Sequence, residues 1–459
     1  ISRFSAVIKK SLQEIMEEDR VVSSVRCRFI TNTESIRVSV DPLSIPVKLG
    51  KKGLTNVINH LLGGGEDRSF DFLVYSSDAK DSQLSKKLLR KSLRAHFEDT
   101  EMSTEQLVTV EYFLSLPRPS DGGQCSADEW IGSVCGIDQE INGLQTFVSG
   151  SYDGQLHIVS ADTSRLGNQT AHDGAVKTVS SCGDIVVSGG HDKVLRTWRI
   201  KESDEVVSLE PIGIGESSNR AHESSIECST VQTDDSSGTP MILSGDWDGR
   251  LCFWQNGSAE VASAKKQKTG ARSTQEALQN IAPVETWKAH AHCVSEVRWV
   301  RETRGVAATA SWDHSIKTWD VERQDCTCTI NTSKVNSCMD ARADMVLSGH
   351  PQGLVRLWDV RHDPGTSSAA TMTFGSEVSK GWVSGVQWCP VLPHIIGAST
   401  QDGYVSMFDM RSSRPLFTFK AHGSNKEEEK SLCVTWGGDT LVSGGTDKQL
   451  RMFSFSNIN

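Results

Sequence analysis

The sequence predicts a mainly β protein in which a small α+β domain precedes a seven-bladed β-propeller. Three observations carry this. A short motif, an aspartate or one stand-in followed six residues later by an aromatic residue or one stand-in that closes a strand, occurs seven times. Apolar residues alternate with strand period through that region, whereas before residue 113 strand and helix periods mix. Pro117, Pro119 and the run Ser120-Asp121-Gly122-Gly123 punctuate the junction between the two.

Residues 1–24 form an N-terminal extension with no secretory h-region; Phe4, Ile8, Leu12 and Ile15 stand at helical spacing, and no function is assigned to them. The small domain is expected over 25–115, with strands at 26–30 and 35–40, a helix over about 55–62, and a strand at 70–75. A stretch at 84–97 mixes strand with helical turn, and a last strand follows at 106–113. That order fits a ubiquitin-like roll. Gly63-Gly64-Gly65 reads as the stop after the helix, because no Lys-Ser/Thr follows to make a phosphate loop. Residues 116–128 are taken as a linker and 129–459 as the propeller, with an insertion at 256–284.

The seven motifs are SYDGQLHIV (151–159), GHDKVLRTW (190–198), DWDGRLCFW (246–254), SWDHSIKTW (311–319), HPQGLVRLW (350–358), TQDGYVSMF (400–408) and GTDKQLRMF (445–453). Each joins a tight turn to an alternating strand, the hairpin of a WD40 blade. Gln352 replaces one turn aspartate and Val159 one aromatic residue. The last strand lies at 450–455, so the outer strand of the seventh blade is expected from upstream of Trp130, closing the ring.

Ala-His precedes four motifs, at His172, His222, His290 and His422. His172, Asp192 and Trp198, and likewise His290, Asp313 and Trp319, are expected to form structural networks inside their blades. A hydrolytic triad is disfavoured because the pattern repeats and no Gly-x-Ser-x-Gly elbow exists. A metal at His290 and His292 is disfavoured because no further ligand stands at a suitable spacing. The chain is read as no enzyme, with no cofactor of its own.

Composition narrows the partners. The 459 residues are 37 % apolar and 23 % charged, with apolar runs far short of a membrane span, so no membrane partner is expected. Residues 1–117 hold 17 Lys+Arg against 16 Asp+Glu, leaving 31 against 42 for the rest. Broad phosphate gripping by that acidic part is disfavoured, although direct contact with RNA through a local patch stays open. Twelve cysteines without a CxxC pair read as buried thiols of a reducing compartment. Lys265, Lys266 and Lys268, in a Ser/Ala/Gln-rich insert, form a short basic run, either a solvated loop or a nuclear localisation patch.

The segments VRCRFIT (25–31), VDPLSIPVKLGKKGLTNVINHLL (40–62), FDFLV (70–74), LLRKSL (88–93) and STEQLVTVEY (103–112) resemble the Notchless-like ubiquitin-like domain. Followed by LPRP (116–119) and ADEWIGSV (127–134), they resemble the WD40 ribosome-biogenesis proteins of the PeBoW complex. The resemblance implies a non-enzymatic assembly factor for the large (60S) ribosomal subunit, needed for pre-rRNA processing and found in nucleolus and nucleoplasm. It implies docking of the propeller on the block-of-proliferation WD40 subunit, which also holds pescadillo, and binding of the small domain to the AAA ATPase midasin for ATP-driven release from the pre-60S particle. It further implies that Glu105 completes a Mg²⁺ site held by midasin, with Glu101 the alternative; a bland loop acid is the competing reading of Glu105. Competing families are the Notchless paralogue, with a longer array, and a WD40 substrate receptor of a ubiquitin ligase.

Overall fold

The computed structural model describes residues 24–39, 41–63, 67–76, 87–100, 102, 106–141, 143–203, 206–215, 221–234, 238–255, 279–301, 303–361, 370–423 and 429–455. The chain divides into two compact units after Pro117. In the first, strands β1 (Ser24–Ile30), β2 (Leu43–Pro46), β3 (Phe70–Ser76), β4 (Lys87–Leu88) and β5 (Val108–Leu114) form one sheet in the order β2-β1-β5-β3-β4. The terminal strands β1 and β5 are parallel neighbours, and the other pairs are antiparallel. Helices α1 (Lys51–Leu61) and α2 (Leu93–Thr100) complete the roll. Leu54 and Ile58 of α1 and Leu93 and Phe97 of α2 join Val25, Cys27, Phe29, Phe70, Phe72, Val110 and Tyr112 in one core.

One expected strand is corrected. In place of the strand expected over 35–40, the described residues 35–39 make only the end of a short 3₁₀ turn, Glu34–Ile36, and unpaired extended chain, and the second strand lies at Leu43–Pro46. The buried Tyr112 hydroxyl donates to Ile36 O at 2.6 Å and accepts Val38 N–H at 3.0 Å. That phenol supplies locally what a ladder would have supplied, while Ile36 and Val38 point inward with strand-like alternation. The helix begins four residues earlier than its apolar pattern, because Lys51-Lys52-Gly53 carries no core residue except by position.

The second unit holds seven sheets whose first strands stand side by side around a ring, with that of blade seven against that of blade one. The first strands are Ile131–Gly136, Val176–Cys182, Ile226–Thr233, Val294–Trp299, Cys338–Arg342, Val383–Trp388 and Ser431–Gly437, blades one to seven. Side chains stitch neighbours together: Val179 N–H donates to Ser133 Oγ at 3.0 Å, Trp388 N–H to Asp340 Oδ2 at 2.8 Å, and Trp436 N–H to Gln387 Oε1 at 2.7 Å. In all seven motif turns the residue after the anchor is left-handed, glycine in four blades and Lys193, His314 or Lys448 in three. At Gly154 a Cβ would lie 2.1 Å from His172 O, so there the choice of glycine is forced.

The segment taken as linker is part of the ring. Strand β6 (Ser120–Ser126) pairs antiparallel with Gln449–Ser454 as the outer strand of blade seven, so residues 120–126 belong to the propeller. The insertion also returns to the sheets: Gln279–Asn280 adds a fifth strand to blade two, parallel to its neighbour, and Glu285–Lys288 is the fourth strand of blade three.

Candidate functional site

Inside blade two, Trp198 Nε1–H donates to Ser188 Oγ at 2.9 Å, that oxygen lies 2.8 Å from His172 Nε2, and His172 Nδ1 lies 2.9 Å from Asp192 Oδ1. Blade four repeats it with Trp319, Thr309, His290 and Asp313, at 2.9, 2.7 and 3.0 Å. The constellation matches that of a nucleophilic triad. Ser188 and Thr309 are nevertheless fully buried, and each accepts an indole N–H, so neither oxygen meets a substrate. Burial works to raise the Asp192 and Asp313 carboxyls, but the hydrogen bonds from their histidines win and hold both well below the usual range.

Two blades depart from the expected register. In blade three His222 Nδ1 meets Asp246, at 2.9 Å, instead of the turn residue Asp248. Both partners are fully buried; burial opposes the charge on His222, yet the Asp246 hydrogen bond raises it to about 9. Blade five lacks the loop histidine, and His350 substitutes from the strand end, 2.7 Å from Ser348 Oγ, which also accepts Trp358 Nε1–H. Burial lowers His350 to about 4.

The central channel contains a cavity of about 530 Å³ lined by all seven blades, including Ser181, Gln232, Arg298, Asp340, Gln387 and Thr435. Burial raises the Glu296 carboxyl against the opposing effect of Arg298, 3.5 Å away. Asp340 and Gln387 are spent on the backbone of the next blade. Among the described residues no group of three or more His, Cys, Asp or Glu side chains is arranged to hold a metal, His290 and His292 included. No helix among them is long and apolar enough to cross a membrane.

What sequence reading missed is a set of exposed tryptophans. Trp130, Trp247, Trp312 and Trp382 are 45, 48, 40 and 40 % exposed. One repeated backbone bond places them. Tyr152 N–H donates to Trp130 O, Trp247 N–H to Ser225 O, Trp312 N–H to Cys293 O, and Gln401 N–H to Trp382 O, at 2.8 to 3.1 Å. Each bond joins the turn after a second strand to the entry of a first strand, so all four indoles lie at the same face of the ring. Trp247 and Trp312, on adjacent blades, meet edge to face at 5.1 Å, and Trp130 lies 5.6 Å from Tyr152, over which Lys177 is seated at 4.9 Å. Bulky indoles left open to water cluster where proteins bind proteins. The signal in the sequence was tryptophan directly before a turn aspartate, at Trp247 and Trp312, or directly before a first strand, at Trp130 and Trp382, positions outside either strand.

Glu105 and its alternative Glu101, the basic run Lys265, Lys266 and Lys268, and the helical pattern at 4–15 lie outside the described residues.

The NLE (NUC135) domain family matches residues 25–97, and the WD domain, G-beta repeat family matches residues 163–199 and 281–320. A ribosome biogenesis protein WDR12 homologue of Chlamydomonas reinhardtii is 32 % identical over 94 % of this chain and 98 % of its own length. The ribosome biogenesis protein YTM1 of Eremothecium gossypii is 29 % identical, over 96 % and 99 %, and a WDR12 homologue of Oryza sativa is 30 % identical, over 93 % and 95 %.

Proposed function

The chain belongs to the WDR12/YTM1 family of ribosome biogenesis proteins, and from that premise we propose that it is a two-handed, non-enzymatic scaffold of 60S assembly, acting within the PeBoW complex in nucleolus and nucleoplasm. The propeller is the docking hand. Its tryptophan-bearing face is the observation that carries this reading, because solvent-exposed indoles on one rim cost solubility unless a partner covers them. The partner is the block-of-proliferation WD40 subunit, through which pescadillo joins. The interior residues support a scaffold in another way: the blade histidines His172, His222, His290 and His350, with their acid and hydroxyl partners, are consumed in holding each blade together.

The small domain is the pulling hand. Its compact, single-core roll is a rigid lever, and Glu105 stands three residues before β5 in the sequence. A carboxylate there fills the open position of a hard Mg²⁺ ion held by midasin, an oxygen-seeking metal that binds such a group from a partner readily. ATP-driven movement then draws the complex off the pre-60S particle. The basic run at Lys265, Lys266 and Lys268 serves nuclear import.

The test of the docking hand is binding of the purified full chain to the purified block-of-proliferation subunit by calorimetry. Trp247→Ala with Trp312→Ala is expected to weaken binding at least tenfold with the melting temperature unchanged, since both rings are largely outside the core. Undiminished binding by that pair and by Trp130→Ala with Trp382→Ala would place the partner elsewhere.

A further inference from the structure

The two units differ in how a load along the chain would strain them. The strand that completes blade seven is β6, whose sequence is SDGGQCS. No residue of it is buried, and only Cys125 touches the core between blades seven and one. A bulge at Gly122 interrupts its ladder, and Gly123 is left-handed, with φ +97°. The outer strands of blades two and five are anchored by buried side chains, Val207 and Leu209 in the first and Phe374 in the second, whereas those of blades one, three, four and six, like β6, have none.

Two clasps hold the ends of β6. At its start, Ser120 Oγ donates to Ser454 O at 3.1 Å, and the Arg118 guanidinium lies 5.3 Å from the Phe419 ring, which stacks on Phe453 at 5.1 Å. At its end, Ser126 Oγ donates to Gln449 Oε1 at 3.0 Å, and Lys448 Nζ lies 3.1 Å from Glu129. Exposed pairs of that kind contribute little.

Direction decides the rest. Because β6 is antiparallel to Gln449–Ser454, its first residue and the last residue of its partner lie together, as Ser120↔Ser454. Tension between the N-terminal side and the C-terminus therefore opens this pairing from one end, one hydrogen bond at a time. In the small domain the same tension acts on β1 and β5, which are parallel, with Cys27↔Val108 and Ile30↔Glu111 in register. Its entry and exit points are at opposite ends of that pair, so the bonds between them are sheared together. We propose that β6 is a mechanical latch: load arriving through the small domain unzips it from blade seven, while the inner strands of blades seven and one stay packed on their shared core and the small domain stays folded. The unlatched edge Gln449–Ser454, with its free backbone groups, is then available to another strand. In the cell the source of load rests on the ATP-driven reading above.

The test is optical-tweezer extension of the full chain held at its two ends. The first event is expected to be short, a gain on the order of 35 Å for the residues between Ser120 and the start of blade one, and to reverse on relaxation. Ser120→Cys with Ser454→Cys, oxidised, should abolish that step, and reduction should restore it. Gln124→Cys with Arg451→Cys, directly opposed in the ladder, serves as a second lock if the first disturbs folding. A first event the size of the whole small domain, or locks that leave the short step unchanged, would overturn the latch. The measurement uses the chain alone, so its failure leaves the ATPase reading untouched, and loss of the ATPase reading leaves the short step in place.

Discussion

Ser188 and Ser149 occupy the same position, four residues before the turn anchor, in blades two and one. Both are fully buried, but their surroundings are opposite. Ser188 joins the Trp198 indole to His172, whereas Ser149 Oγ has no hydrogen-bond partner among the described residues. Blade one has Val159 in place of the tryptophan and no loop histidine, so its serine is left over. Removing the Ser188 hydroxyl orphans a buried indole N–H and unpairs the imidazole Nε2, each costing about 1–3 kcal/mol, for a loss of about 2–6 kcal/mol in Ser188→Ala. Ser149→Ala removes a hydroxyl that is already unpaired and should be neutral or stabilising by about 1 kcal/mol. Urea unfolding of the two variants, followed by tryptophan fluorescence, should show the Ser188→Ala midpoint falling and the Ser149→Ala midpoint holding or rising, with unchanged slopes. Equal shifts, or a Ser188→Ala midpoint at the wild-type value, would refute the view that these hydroxyls are hubs of blade networks.

The buried histidines make stability depend on pH with opposite signs. His222, raised to about 9, has a folded value above its unfolded one, so its contribution is complete below pH ~6.5 and is lost as pH rises through about 9, on the order of 3 kcal/mol; Asp246→Asn should flatten the melting temperature over that window. His350, lowered to about 4, contributes fully above pH ~6.5 and progressively less as pH falls towards 4, so His350→Gln should reduce the acid sensitivity in chemical denaturation. Tyr112→Phe should cost about 1–3 kcal/mol and speed amide exchange at Val38, whose N–H the phenol oxygen accepts; protection unchanged at Val38 would mean that the hydroxyl does not hold this segment.

The propeller was legible because its chemistry repeats. Seven turns, six with an aspartate at the anchor and one with Gln352, each with a strand behind it, declare seven blades, and the closing strand follows once the last motif is seen to end at Phe453. Where a blade solves the same packing problem with different residues, the pattern misleads. Asp246 replaces Asp248 as the partner of His222, two residues away on the same strand-to-turn path, and His350 stands in for a loop histidine. Only spatial proximity reveals those substitutions. In the small domain, alternation at 35–40 was read as a strand because inward Ile36 and Val38 follow strand period, although Tyr112 takes their backbone bonds. Pro46 disguised the true second strand. The tryptophan face escaped because each indole is ordinary in its own repeat, and only the ring brings them onto one surface.

The most direct measurement is a pull-down of the tagged full chain from nuclear extract, comparing wild type with Glu105→Ala, with Mg²⁺ present or chelated. The block-of-proliferation subunit and pescadillo are expected to be retained throughout, while midasin is lost with the substitution or with chelation. Midasin retained by folded Glu105→Ala, or none of these partners recovered with wild type, would contradict it.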